Sequence, residues 1–251
     1  MDEQKFYEKL GKANGWDFSA VKSESRGAAW DFYSEAAKYS APDSIVLDIG
    51  TGGGENVMKL AESCAFVVGI DLSATMVETA RANLEEANYG NVRFLKMAAE
   101  SLHFPDGFFD IVTSRHCPFD AAEAARVLKS GGIFLSQQVS EGDKGNLKQA
   151  FGRGQAFGQR DGMLKERYIK ELEEAGFTDI KCDDYDAAEY YEKPEDLLFL
   201  LQHTPIIPNF GEEPQDFEKF NKFILQNQTS KGIRTNSKRF LLIAYKKGLV
   251  G

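Results

Sequence analysis

The residues best suited to chemistry lie in Val46-Leu47-Asp48-Ile49-Gly50-Thr51-Gly52-Gly53-Gly54. Glycine has no Cβ, so this stretch can turn through positive φ and bring its backbone against a ligand. The spacing is DxGxGxG, with Asp48, Gly50, Gly52 and Gly54 at the fixed positions. A dinucleotide turn of the GxGxxG form would need glycine at position 55, which is Glu55. Asp71 follows 19 residues after Gly52, at the end of the next apolar run. A carboxylate there can accept hydrogen bonds from the ribose hydroxyls of a nucleoside. The competing reading is an acid favoured by a helix dipole. Leu72 and Met76 could flank the base with apolar surface. A second group is Ser114-Arg115-His116-Cys117. His116 is a candidate base or acceptor-orienting residue, because a neutral imidazole can take a proton near neutral pH. Arg115 could hold a carboxylate or other anion. Both could instead only brace their loop, and Cys117 reads as a small buried filler.

These groups need elements to position them. Ser44–Ile49, Ala65–Ile70, Val92–Lys96, Phe109–Ser114 and Ile133–Val139 read as buried strands. Between them Glu55–Ser63, Ser73–Ala87 and Ala121–Leu128 have helical spacing. Ser73 suits an N-cap. Such alternation predicts right-handed crossovers and an α/β, doubly wound, mostly parallel sheet. After residue 140 the pattern loosens. Helices are expected at 165–175, 194–202 and 217–225, a sixth strand within 177–191 and a seventh at 239–245. The chain therefore reads as one domain over 1–251: an N-terminal helical cap (1–40), a cofactor-binding core (41–140) and an acceptor-side half (141–251) carrying a lid-like insertion, 190–237. Aromatics at Trp16, Phe18, Trp30 and Tyr33, with the loop Thr204–Pro208, are expected to wall the acceptor pocket. Gln137 and Gln138 end the fifth strand, and one could face the site. His203 reads as a capping or packing residue.

On these residues the chain resembles the class I S-adenosylmethionine-dependent methyltransferases. The 46–54 turn matches their first motif. Met97–Asp110 resembles their DAExLPFpDxxFD segment, with Ala98 where the family has an acid. AAEAARVLKSGG followed by IFLSQQV resembles their next helix, turn and strand. Ser114–Val139 is similar to a largely uncharacterised bacterial group of the methyltransferase type 11 style. The cofactor half is also similar in style to the ubiquinone and menaquinone biosynthesis methyltransferases. The resemblance implies S-adenosylmethionine as cofactor and S-adenosylhomocysteine as product. It implies cofactor contacts from Asp48 (amino end), Gly50, Thr51, Gly52, Gly54, Asp71 (ribose), Leu72, Met76, Ala99, Glu100 and Ser114. The reaction would be an in-line methyl transfer needing no metal, with His116 and Arg115 on the acceptor side.

Composition narrows the acceptor. The 251 residues are 42% hydrophobic and 27% charged, with a net charge of −9. That balance disfavours nucleic acid and points to a small-molecule acceptor. Residues 214–247 run against it, at +6 against −15 for the rest. An RNA or protein methyltransferase using that segment is one alternative. A non-catalytic S-adenosylmethionine-binding protein is another, and an NAD-dependent oxidoreductase a third, disfavoured by Glu55. Cys64, Cys117 and Cys182 show no CxxC spacing, which suggests a reducing compartment and no zinc site. With no signal-like N-terminus and no apolar run near ~20 residues, the expectation is a cytoplasmic monomer or homodimer without membrane contact.

Overall fold

The computed structural model describes residues 21–248. In chain order the elements are β1 (Ser23–Arg26), α1 (Phe32–Ala37), β2 (Ile45–Ile49), a 3-10 turn (Val57–Leu60), β3 (Phe66–Asp71), α2 (Ala74–Ala87), β4 (Val92–Lys96), β5 (Phe109–Arg115), α3 (Ala121–Val127) and β6 (Leu128–Val139). Then follow α4 (Gly145–Phe151), α5 (Met163–Glu174), β7 (Phe177–Tyr191), α6 (Pro194–His203), α7 (Asp216–Asn227), β8 (Gln228–Thr229) and β9 (Gly232–Lys246).

One sheet runs through the molecule in the order β1-β7-β9-β6-β5-β2-β3-β4, with β8 paired to β9. The pairs β2–β3, β3–β4, β2–β5 and β5–β6 are parallel, and β9 lies antiparallel between β6 and β7. The chain leaves β2 toward β3 on one side and later returns to β5 on the other. That reversal opens a crevice at the carboxyl ends of β2 and β5, where ligands of open α/β sheets bind. Both faces of the sheet are covered, as parallel strands require. Leu47 and Ile49 of β2 join one core cluster with Val112, Phe134 and Leu242, while Val46 joins the other with Tyr33, Val57 and Leu135.

Four expectations change. The sheet has nine strands among the described residues: the seven expected, plus β1 on the edge of β7 and the short β8. The helix expected at 55–63 is a single 3-10 turn. Asn83 takes the Gly53 carbonyl (2.9 Å) and Asn91 takes those of Ala61 (2.8 Å) and Cys64 (3.1 Å), outside any helical ladder. The insertion is shorter than expected, 192–231, because Ile233–Ser237 pair with β7. Its helices share a third apolar cluster with α4, built on Leu147, Phe151, Leu197, Phe220 and Phe223. The N-terminal cap supplies β1 and α1. Trp16 and Phe18 lie outside the described residues.

Candidate active site

The glycine turn closes over β3. Gly50 N and Thr51 N both donate to the Ile70 carbonyl, each at 2.9 Å. Gly54 has φ +81, and a Cβ there would lie 2.5 Å from Phe94 Cζ, so this glycine serves close packing. Gly52 differs: at φ +58 its missing Cβ would meet nothing within 4 Å. Here the backbone turns toward open space, with room for a ligand. Asp71 ties the turn down. Its Oδ2 accepts from Gly52 N (3.0 Å) and its Oδ1 from Ser73 N (2.9 Å). Burial raises its pKa, against these backbone hydrogen bonds. Each oxygen has a further lone pair, so the carboxylate can still accept from a sugar diol.

Leu72 stands next to it at 45% exposure, an apolar shelf beside a polar turn. Met76, expected beside it, is buried in the core at 1%. Ala99 is half-buried, and Glu100 is exposed. This set fits a nucleoside. It does not fit a pyrophosphate: the Glu55 carboxylate, held by Asn83 Nδ2 at 2.9 Å, folds over Gly53, and no α-helix starts there to offer its N-terminus.

Asp48 lies beneath the turn with no solvent exposure. It accepts from Thr113 Oγ1 (2.6 Å) and from Tyr33 OH (3.2 and 3.3 Å). Burial pushes its pKa up to about 6, against those hydrogen bonds and the Arg115 charge. Thr51 faces the same carboxylate, its hydroxyl buried and short of hydrogen-bond geometry. Asp48 therefore supports the floor of the turn and presents no free surface.

Across the crevice, β5 ends in a tight turn. Ser114 Oγ donates inward to the Cys117 carbonyl (2.8 Å), which also accepts from Gln138 Nε2 (2.8 Å). Both side chains brace the turn. His116 sits at φ +57, its amide bonded to the Gln137 carbonyl at 2.8 Å. Its Nε2 lies 2.8 Å from Gln137 Nε2, and Gln137 Oε1 accepts from Trp30 Nε1 at 2.7 Å. Trp30 packs edge-on against Tyr185. His116 is an exposed residue, with neighbouring protein groups packed about its ring. Those surroundings, with Arg239, Arg115 and Lys144, hold its pKa well below the ordinary histidine value.

A buried ion-pair cluster flanks His116. Arg239 and the backbone N of Lys238 bond Asp143, and Lys144 bonds Glu189. Burial alone would raise the Asp143 carboxyl, but Lys144 and Arg239 outweigh it and hold it low. Lys148 Nζ donates to the carbonyls of Glu141 (2.6 Å) and Gln155 (3.0 Å), beside a cavity of about 170 Å³ lined by Ser140, Asp143 and Leu164. Arg239 and Lys238 (which pairs with Asp161) thus spend part of the basic 214–247 run internally. His203 caps its own helix, its Nδ1 2.7 Å from the Phe199 carbonyl. Nothing in the sequence pattern marked Asp143 or Lys144, and Tyr33, expected in the wall of the acceptor pocket, donates its hydroxyl to buried Asp48 instead. Among the described residues no helix is long and apolar enough to cross a membrane.

Comparison with known proteins agrees with this fold. Residues 46–132 match the methyltransferase domain family model. An uncharacterized methyltransferase of Bacillus subtilis, YcgJ, is 40% identical over 97 residues, 36% of this chain and 38% of that protein. The crystal structure of YcgJ superposes with a TM-score of 0.59 at 21% identity, over 85% of this chain and 97% of that one. A malonyl-[acyl-carrier protein] O-methyltransferase of a Paenibacillus species is 27% identical over 213 residues, 72% of this chain and 77% of that protein. The [4+2]-cyclase SpnF has the same fold, with a TM-score of 0.57 at 18% identity over 97% of this chain and 93% of that one. Several matched relatives are thus spanned over less than half their length.

Proposed function

We propose that the protein, whose residues 46–132 match the methyltransferase domain family model, is a class I S-adenosylmethionine-dependent methyltransferase that transfers a methyl group from S-adenosylmethionine to a small-molecule acceptor beside His116. The observation that carries the reading is the Gly52–Asp71 arrangement: an open backbone turn fixed by a carboxylate that keeps acceptor capacity for a ribose. Bound there, S-adenosylmethionine supplies a methyl group already activated by the sulfonium charge. The protein's share is placement and the exclusion of water. Leu72 offers the shelf for adenine, with backbone around Ala99 beside it. Asp71 takes the sugar. Asp48, under the turn, keeps the end of β2 rigid through Tyr33 and Thr113.

A small acceptor is supported by the side chains gathered about His116 and by the net charge of −9. The malonyl-[acyl-carrier protein] O-methyltransferase relative acts, by its name, on a malonyl group, which points the same way. A fold shared with a cyclase warns that the sheet alone does not choose the reaction. Calorimetry decides the first step: S-adenosylhomocysteine should bind and NAD should not. Binding of NAD alone would reject the reading. Methyl consumption across a panel of small acceptors then separates an enzyme from a non-catalytic binder. No RNA binding at low salt is expected, since the basic run is partly paired within the fold.

A further inference from the structure

Trp30, Gln137 and His116 form a chain of hydrogen bonds whose polarity can be read from chemistry alone. An indole N–H can only donate, so the Gln137 oxygen must face Trp30. The amide NH₂ of Gln137 then faces His116 Nε2 at 2.8 Å, and an amide nitrogen can only donate. Nε2 must therefore accept, and the single ring proton of a neutral imidazole must sit on Nδ1. Adding a second proton would set donor against donor. The charges facing the ring are Arg115, Arg239 and Lys144, the last two neutralised by Asp143 and Glu189.

Arg115 has no such partner. Among the described residues it makes no ion pair, although it is half-buried. The two carboxylates on which its charge acts are engaged elsewhere. Asp31 caps α1 through Ser34 N and Ser34 Oγ, and Asp48 is held by Thr113 and Tyr33. Nδ1 of His116 likewise has no hydrogen-bond partner among the described residues. At the carboxyl end of β5, a guanidinium without an ion-pair partner and a ring donor without an acceptor, among the described residues, belong to adjacent residues.

We propose that His116 is a fixed hydrogen-bond donor, its proton on Nδ1, and that with Arg115 it forms an oxyanion site for a carboxylate-class group of the acceptor. Gln137 and Trp30 are positioning residues that set the tautomer. His116 then does not take a proton from the acceptor at Nε2, since that lone pair is already occupied. It orients an acceptor that arrives as an anion. Assigning the anion to a methyl acceptor rests on the methyltransferase reading; the tautomer does not.

The direct test is nitrogen-15 ring spectroscopy of the full chain, with and without S-adenosylhomocysteine. The expected result is a protonated Nδ1 and a bare Nε2 throughout the neutral pH range. A proton on Nε2, or a ring that titrates at the ordinary histidine value, overturns the proposal. Gln137→Glu places a carboxylate against Nε2 and should move the proton there, with a raised ring pKa. An unchanged ring would leave Gln137 without its positioning role.

The anion site is tested with benzoate, titrated by calorimetry into the protein saturated with S-adenosylhomocysteine. Arg115→Gln and His116→Leu should each weaken it about tenfold or more, the loss of one charge-assisted or neutral donor to an anion. His116→Asn, whose amide can return a donor near Nδ1, should recover part of it. No binding to the wild type, or equal binding by the variants, removes the oxyanion site. The cofactor's own carboxylate is the other source of this chemistry. If Arg115→Gln weakens S-adenosylhomocysteine but spares 5′-methylthioadenosine, which lacks the amino-acid tail, the acceptor assignment fails. If the wild type binds neither nucleoside, the methyltransferase reading fails, while the ring spectrum still decides the tautomer.

Discussion

The two sides of the crevice are built by different physics. On the cofactor side, backbone amides, glycines and two aspartates lie within 24 residues of one another along the chain. On the acceptor side, buried charges from α4 and its approach meet β7 and β9 across separations of 45 and 96 residues. The cofactor side needs little electrostatic compensation, because its donors are peptide groups. The acceptor side places Asp143, Lys144 and Lys148 at 5% exposure or less and depends on their mutual pairing. Stability should therefore be most sensitive where the cluster is, and ligand affinity where the glycines are.

The largest effect should come from removing one member of the cluster. Asp143→Ala leaves Arg239 without its carboxylate and takes a neighbouring anion from Lys144. Breaking a buried pair in this way costs about 3–5 kcal/mol, read as a shifted urea midpoint. If the midpoint moves no more than for an exposed pair such as Arg160–Glu166, the cluster is not the structural keystone of that side.

The cofactor side has one buried charge of its own, Asp48, and it behaves in the opposite sense. Its folded pKa, about 6, lies above the ordinary carboxyl value, so the folded state holds the proton more tightly. Stability is then fully present in acid and falls as pH rises through about 6, by up to about 3 kcal/mol. His116 works the other way, losing stability as pH falls below the ordinary histidine pKa, because the unfolded ring takes up the proton first. The contrast between wild type and Asp48→Asn isolates the first term. Parallel stability curves for the two proteins over that range would show that Asp48 is ionised at no cost.

This division also explains what the sequence disclosed. The 46–71 segment was readable because a turn, an acid and a strand are local features whose spacing has chemical meaning. Strands β2 to β6, the helices α2 and α3, and the placement of Asp71 followed from it. The helix expected after Gly54 shortens to a 3-10 turn, and the carbonyls at its two ends, Gly53 and Ala61, are taken by Asn83 and Asn91 from about 30 residues away, partners that no local pattern shows. Gln137, Trp30 and His116 were each marked, but the hydrogen bonds that join them were not: Trp30 lies 107 residues from Gln137. Ser114 and Met76 sit at the expected positions, yet one hydroxyl bonds Cys117 and the other side chain fills the core. Sequence position fixes the element; direction within it depends on tertiary neighbours.

Affinity predictions are smaller and belong to the turn. Asp71→Ala removes charged acceptors from a bound ribose and from Gly52 N, and should weaken S-adenosylhomocysteine by about 1–3 kcal/mol in calorimetry. Unchanged affinity would reject the ribose role and leave Asp71 as a turn brace only.

The smallest effect on stability should come from Gly52, and its neighbour makes the comparison sharp. At Gly54 an added methyl would meet the Phe94 ring, so Gly54→Ala combines left-handed strain with overpacking. At Gly52 only the strain remains, about 1 kcal/mol, because the space beyond is open. If that space belongs to the cofactor, Gly52→Ala should bind S-adenosylhomocysteine far more weakly than its small loss of stability predicts. A variant that is mildly destabilised but binds normally would mean that the opening at Gly52 faces water, and the nucleoside would have to lie elsewhere on the sheet's edge.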